Sequence, residues 1–243
     1  MIIKPSLWRI PQPSAAVFAQ AEEKARILIE RIQLIAQRHN DARFASSLAV
    51  EDMVITDAIV KAEVPLSVFT LETGRLNSET LALVDALKQR YPTLNLSLFR
   101  PNAENVRQYE REKGRNAFYE SVELRRECCF IRKIEPLNRA LQGADAWLTG
   151  QRRAQSVTRT ELAFHERDGS RGIDKYNPIF DWSELDVWAY ILAHQIPYNA
   201  LYEQGYPSIG CEPCTRPVKQ EEDIRAGRWW WENKDSKECG LHK

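Results

Sequence analysis

Residues 43–52 read Arg43-Phe44-Ala45-Ser46-Ser47-Leu48-Ala49-Val50-Glu51-Asp52, and this passage sets the architecture. A run of strand length, 43–48, passes through small residues into a helical stretch at 53–61. The alternation continues outward. Residues 66–71 read as an apolar strand, Glu72-Thr73-Gly74-Arg75 as a loop, and Asn77 as the cap of a helix to residue 91. A third strand spans 94–99 and a fourth 146–149. Between them lie a polar, charged segment, 102–115, and a helix carrying Cys128 and Cys129 to about residue 141, with Pro136 as a kink or restart. Upstream, apolar residues at helical spacing predict a packing helix from Ser14 to about residue 39.

Strands alternating with helices define an α/β fold, a parallel sheet flanked by helices. Such sheets bind ligands at the carboxyl ends of their strands. Here those ends carry Ser46-Ser47, Thr73-Gly74-Arg75 and Gly150-Gln151-Arg152-Arg153, with Arg159 six residues on. Small, polar and basic residues suit a nucleotide with a charged tail, because arginine forks match phosphate and sulfate oxygens. A solvated charged surface is the ordinary alternative for an Arg pair.

Beyond residue 160 the pattern changes. Residues 161–166 and 173–176 read as an antiparallel pair around Asp168-Gly169, and Ser183 caps a helix to about residue 195. A short helix is expected at 221–226, ahead of Trp229-Trp230-Trp231. The chain reads as one domain: a helical segment (1–40), an α/β core (41–228), and a polar tail (229–243) expected to move.

The 243 residues suffice for one substantial core, and 43% hydrophobic with 28% charged residues fits a globular protein. A net charge of zero argues against nucleic-acid binding, which needs a basic field. No apolar run approaches the length of a membrane span, and Met1-Ile2-Ile3-Lys4-Pro5-Ser6 lacks the apolar region of a signal peptide. The expected location is cytoplasmic. In a reducing compartment the five cysteines point to metal or catalysis rather than disulfides.

Four of them form two pairs, Cys128-Cys129 and Cys211-Glu212-Pro213-Cys214. Four thiolates can close one site for zinc or an iron–sulfur cluster. Adjacent helical cysteines point about 100° apart, which suits two neighbouring irons better than one zinc ion. Two plain cysteine pairs without metal remain the alternative. Cys239 is left over, in Lys237-Glu238-Cys239-Gly240-Leu241-His242, where Lys237 and His242 could stabilise a thiolate. Lys133 lies four residues after Cys129, on the same expected helix face.

Together these residues resemble the assimilatory sulfonucleotide reductases, and among them the bacterial adenylyl-sulfate (APS) reductases. The resemblance covers nearly the whole chain. It rests on Ser47-Leu48-Ala49-Val50-Glu51-Asp52, Leu71-Glu72-Thr73-Gly74-Arg75-Leu76, Cys128-Cys129 with Arg132-Lys133, and Thr149-Gly150-Gln151-Arg152-Arg153. It continues through Asn177-Pro178-Ile179 and Cys211-Glu212-Pro213-Cys214 to Glu238-Cys239-Gly240-Leu241-His242. It implies an adenine nucleotide alpha-hydrolase-like fold, reduction of APS to sulfite and AMP, and thioredoxin as electron donor. It also implies a [4Fe–4S] cluster on Cys128, Cys129, Cys211 and Cys214, and attack by Cys239 on the sulfate sulfur to give an S-sulfocysteine. Lys133, Arg159, Arg225, Arg228 and His242 would meet the phosphate–sulfate end. Ser46, Ser47, Glu51, Asp52, Leu71, Thr73, Gly74, Arg75, Gly150, Arg152 and Arg153 complete the candidate nucleotide site.

One departure from the wider superfamily stands out. ATP pyrophosphatases carry a Ser-Gly-Gly-x-Asp-Ser loop; here Leu48 and Ala49 replace the glycines, which restricts backbone approach to a pyrophosphate and disfavours ATP turnover. Alternative readings are reduction of the 3′-phosphorylated substrate (PAPS), a tRNA-thiolating enzyme, and a non-catalytic metal-binding module. The oligomeric state, a homo-oligomer included, is not legible in the sequence.

Overall fold

The structure, a computed structural model, describes residues 6–155 and 161–233. Six strands form one sheet in the order β3-β2-β1-β4-β6-β5. They are β1 (Ala42–Ala45), β2 (Ser67–Leu71), β3 (Leu96–Phe99), β4 (Ala146–Leu148), β5 (His165–Asp168) and β6 (Ile173–Tyr176). All neighbours run parallel except β5 against β6. The expected α/β fold is therefore borne out. The antiparallel pair is not separate, because β6 joins β4 in register, Leu148 opposite Tyr176.

Alternate residues of each strand feed opposite faces of the sheet, as the two-residue period requires. Phe44, Val68, Ala146 and Leu148 enter the main core under α1 (Ala15–Arg38), α2 (Val50–Lys61), α3 (Ser78–Arg90) and α7 (Glu184–Ala193). Phe69 and Trp147 enter a smaller core on the other face with Leu137, Ala140 and Leu141, the first two from α6 (Glu135–Ala140). Helix α1 buries Ala21, Ala25, Leu28, Ile32 and Ile35 at helical spacing and packs on α2 and α7. Ser183 caps α7 with a reciprocal Ser183–Asp186 box, which satisfies two backbone donors.

Four local expectations are corrected. Strand β1 ends at Ala45, and α2 already begins at Val50. The polar segment 102–115 contains helix α4 (Ala103–Lys113), whose Asn102 cap accepts from Glu104 N and Asn105 N. It buries only Tyr109, so no apolar stripe announced it. Asn77 opens α3 without a side-chain cap; its amide donates instead to Gly210 O at 3.3 Å. The helix expected at 221–226 is a series of turns.

The cysteine-bearing helix is continuous but not uniform. Helix α5 (Val122–Cys129) passes into a wider π turn, Phe130–Ile134, and then into α6. Pro136 lacks an N–H and would clash with the carbonyl four residues before it, so the added residue per turn accommodates it. The break expected at Pro136 is thus placed just upstream. At the head of the segment expected to move, Trp229 is 1% exposed and the Glu232 side chain 3%, so both are packed into the fold.

Candidate active site

Strand β1 lies between β2 and β4, so the order of chain growth reverses between β1 and β4. A crevice opens where the chain turns away on either side of such a switch point. A cavity of about 270 Å³ occupies it, lined by residues that follow β1, β2 and β4 and by the segment 207–211. Of the candidate residues, Ser46, Ser47, Glu51, Asp52, Leu71, Thr73, Gly150, Lys133, Arg225 and Arg228 line it.

The loop after β1 is held by its own side chains. Ser47 N and Ser47 Oγ both donate to Asp52 Oδ2 at 2.6 Å, and Leu48 N donates to Ser46 Oγ at 3.2 Å. Val50 N donates to the Tyr202 hydroxyl at 3.1 Å. Leu48 sits at φ 63 with its side chain buried, a left-handed conformation that a glycine would take without strain. The amides of residues 47, 48 and 50 are therefore engaged within the protein, unlike an open phosphate-binding loop. Burial raises Asp52 to about 7, against the opposing pull of the Ser47 donors. A Cβ on Gly150 would lie 2.0 Å from Asp52 Oδ1, so only glycine fits against this carboxylate.

Some candidates take other roles. Arg152 is 2% exposed and donates through Nη2 to Glu51 Oε1 at 2.6 Å. Arg153 donates to Leu162 O at 2.7 Å and stacks over Phe180 at 4.6 Å. Neither lines the cavity. Gly74, at φ 71, turns the chain beside Arg132, and Arg75 binds Arg115 O and Asn116 Oδ1. Arg159, Cys239 and His242 lie outside the described residues.

A second, smaller void of about 20 Å³ adjoins the cavity, and all four remaining cysteines line it. The loop that brings Cys211 and Cys214 there is pinned from several directions. Glu212 N donates to Arg75 O at 2.8 Å, the Tyr119 hydroxyl to Pro213 O at 2.7 Å, and Trp229 N to Cys214 O at 3.2 Å. Thr73 Oγ1 lies 3.3 Å from Cys211 Sγ, which joins the end of β2 to the cysteine loop.

Cations surround these thiols. Burial pushes Cys128 up, while Arg132 and Arg75 pull it back and Cys211 adds to the rise. Burial pushes Cys214 up to about 12, with Cys211 adding to it and Lys133 and Arg228 opposing. Burial disfavours the charge on Arg125, but Glu232 and Cys129 more than offset this and leave its pKa raised. Arg132 is fixed by Glu110 of α4 at 2.7 Å and by Thr73 O at 2.9 Å. The helix missed in the sequence thus holds a cation against Cys128. Among the described residues no group of three or more His, Cys, Asp or Glu side chains is spaced to hold one metal ion. The thiols ring a void rather than meeting at a point.

Trp229 lines both the cavity and the void, although no sequence motif marks it as a site residue. Its ring lies 4.7 Å from the Arg125 guanidinium and 4.8 Å from that of Arg228. Its backbone sits at φ 42. Gln151, 7% exposed, also faces the cavity, and nothing in the Gly-Gln-Arg-Arg run marks it out from its basic neighbours.

Residues 42–217 match the family described as the phosphoadenosine phosphosulfate reductase domain. A relative called adenosine 5′-phosphosulfate reductase, from Neisseria meningitidis serogroup A / serotype 4A, is 63% identical over 242 residues, spanning 100% of this chain and 99% of its own. One of the same name from Burkholderia cepacia is 54% identical over 229 residues, 94% of this chain and 91% of its own. Among solved structures, the phosphoadenylyl-sulfate (PAPS) reductase of Candida auris, in a phosphate complex, superposes with a TM-score of 0.68 at 28% identity, covering 78% of this chain and 90% of that one. Yeast FAD synthetase, at 16% identity and a TM-score of 0.58 over 86% of this chain and 70% of its own, shares the fold. The chain belongs to the phosphoadenosine phosphosulfate reductase family.

Proposed function

We propose that the chain reduces adenosine 5′-phosphosulfate to sulfite and AMP, with a thioredoxin-type dithiol protein as reductant. The observation that carries this reading is the junction of two spaces. A strand-end cavity of nucleotide size meets a four-cysteine void at a wall bearing Lys133, Cys211 and Trp229, with Arg228 on the cavity side. Relatives called adenosine 5′-phosphosulfate reductase over 88–100% of the chain support it.

The donor set fits a [4Fe–4S] cluster. Four buried or half-buried thiols share one void, and Arg125, Arg132, Lys133 and Arg228 offset thiolate charge that burial alone would suppress. Cys128, Cys129, Cys211 and Cys214 would hold it. Bound there, the cluster would supply fixed charge beside the anionic end of the substrate.

In the proposed reaction, Lys133, Arg225 and Arg228 hold the phosphosulfate. The Cys239 thiolate attacks the sulfate sulfur, the sulfur–oxygen bond to phosphate breaks, and AMP leaves with the electron pair. A thiolate of the dithiol protein then attacks Cys239 Sγ and releases sulfite, and its second thiol closes the disulfide. The dithiol supplies the two electrons. The test is sulfite formation by anaerobically prepared protein given this substrate and a reduced dithiol protein. Sulfite should form in step with AMP; no sulfite from iron-replete protein would overturn the reading. The 3′-phosphorylated substrate serves as the comparison, and a markedly lower specificity constant is expected for it.

A further inference from the structure

The Gln151 side-chain oxygen lies in the cavity with no hydrogen-bond partner among the described residues. The residue is 7% exposed. Leaving a dry carbonyl oxygen unpaired is unfavourable, and native interiors hold few such groups. The backbone that carries it is fixed from below. Gln151 N donates to Thr149 Oγ1 at 3.3 Å, and that hydroxyl donates to the fully buried Asn177 Oδ1 at 2.6 Å. A buried, unsatisfied acceptor carried on a fixed stretch of backbone therefore follows the carboxyl end of β4, inside the site rather than left over at a surface.

The surroundings select what it can bind. Glu51 and Asp52 line the same cavity, set against Gly150 next to Gln151, and as carboxylates also offer acceptors. Phosphate and sulfate oxygens are acceptors too, and they belong with the cations of the lining, Lys133, Arg225 and Arg228, the last of which sits against Gly210. The end at Gln151 suits a neutral group bearing an O–H or N–H. On an adenine nucleotide that means a ribose hydroxyl or the 6-amino group.

We infer that Gln151 is a specificity-determining residue that accepts a hydrogen bond from the adenosine half of the substrate. This rests on the nucleotide-site reading above. The acceptor discriminates in favour of a free donor and against an analogue in which that donor is missing or replaced by a further acceptor, because either leaves a buried oxygen unpaired.

The experiment is calorimetric binding of AMP to the full-length, anaerobically prepared protein. Three analogues are compared: 2′-deoxy-AMP, 3′-deoxy-AMP and the 6-deamino nucleotide. Gln151→Leu should bind AMP about tenfold more weakly, the fold-change of one hydrogen bond of ordinary net strength. On the native protein one analogue should lose about the same factor, and on Gln151→Leu that analogue should lose nothing further. Gln151→Glu, which keeps an acceptor, should retain the discrimination; it and the analogue series carry the test if the Leu variant fails to fold by circular dichroism. Equal AMP affinity in native and folded Leu protein, or three analogues that all bind the native protein as tightly as AMP, overturns the inference alone. No AMP binding by the native protein overturns the nucleotide-site reading with it.

Discussion

Arg125 and Glu232 face each other fork to fork, Nε to Oε1 and Nη2 to Oε2 both at 2.8 Å, with 1% and 3% of their side chains exposed. The pair ties the cysteine-bearing helix α5 to the chain just beyond the three tryptophans. A buried pair is costly to break because the surviving charge has nowhere to go. Glu232→Ala should lower unfolding free energy by about 3 kcal/mol. The apolar double replacement Arg125→Met/Glu232→Leu should recover much of that loss. Urea melts of the three proteins decide it, and a single variant as stable as the native protein would remove the pair from the list of stabilising contacts.

Serine at any one of Cys128, Cys129, Cys211 or Cys214 should abolish bound iron and visible absorbance. All four line one void, so the loss of one thiolate breaks a single centre rather than one of two independent sites. Iron and acid-labile sulfide analysis of anaerobically purified variants provides the measurement. Stoichiometric zinc without iron in the native protein would refute the cluster.

Cys239→Ser should keep full iron content and bind the substrate, yet produce no sulfite. Without a reductant, the native protein should gain one sulfite-sized mass on the peptide containing Cys239. The adduct on any other cysteine would shift the nucleophile elsewhere.

Arg228 caps the cavity wall, stacked on Trp229 and donating to Ile209 O at 3.1 Å, while Arg225 lines the same cavity. Each offers a charge-assisted hydrogen bond typically worth about 1.5–3 kcal/mol. Alanine at either should therefore weaken substrate binding by about one to two orders of magnitude. Binding is best measured with Cys239 replaced, so that turnover does not obscure it.

Asp52 gives a pH signature. Its folded pKa, raised to about 7 by burial, exceeds the unfolded value of about 3.9. The folded state therefore binds the proton more tightly. This group favours folding below the unfolded value, and that contribution is lost as pH rises from about 4 through about 7, after which it is constant. Asp52→Asn removes the titration. Thermal midpoints across pH 4–8 should show the Asn variant gaining on the native protein as pH rises and levelling off above about 7. Parallel curves would mean that Asp52 titrates normally.

What the sequence made legible was pattern that repeats locally. The strand–helix alternation around residues 43–52, the strand-end loops and the two cysteine pairs could all be located from spacing and composition. Contacts between distant residues could not. Glu51 and Arg152 each look suited to a ligand, and only the fold shows that they bind one another. Helix α4 has one buried residue and rests on its cap and charge pairs such as Arg107–Glu104, so hydrophobic periodicity is silent there. Leu48, apolar and buried, reads as the end of a strand, but its backbone has already turned left-handed. Trp229 carries no motif; its part follows from where the end of the core folds back.

Trp229 is one partition serving two compartments. In chain order it comes after every strand and after all four cysteines of the void. As the polypeptide is synthesised, the thiols therefore emerge before the wall that encloses them. The wall shared by the two compartments is thus the last part of their lining to be made, so a chain cut before Trp229 would keep every strand and all four thiols of the void but complete neither compartment.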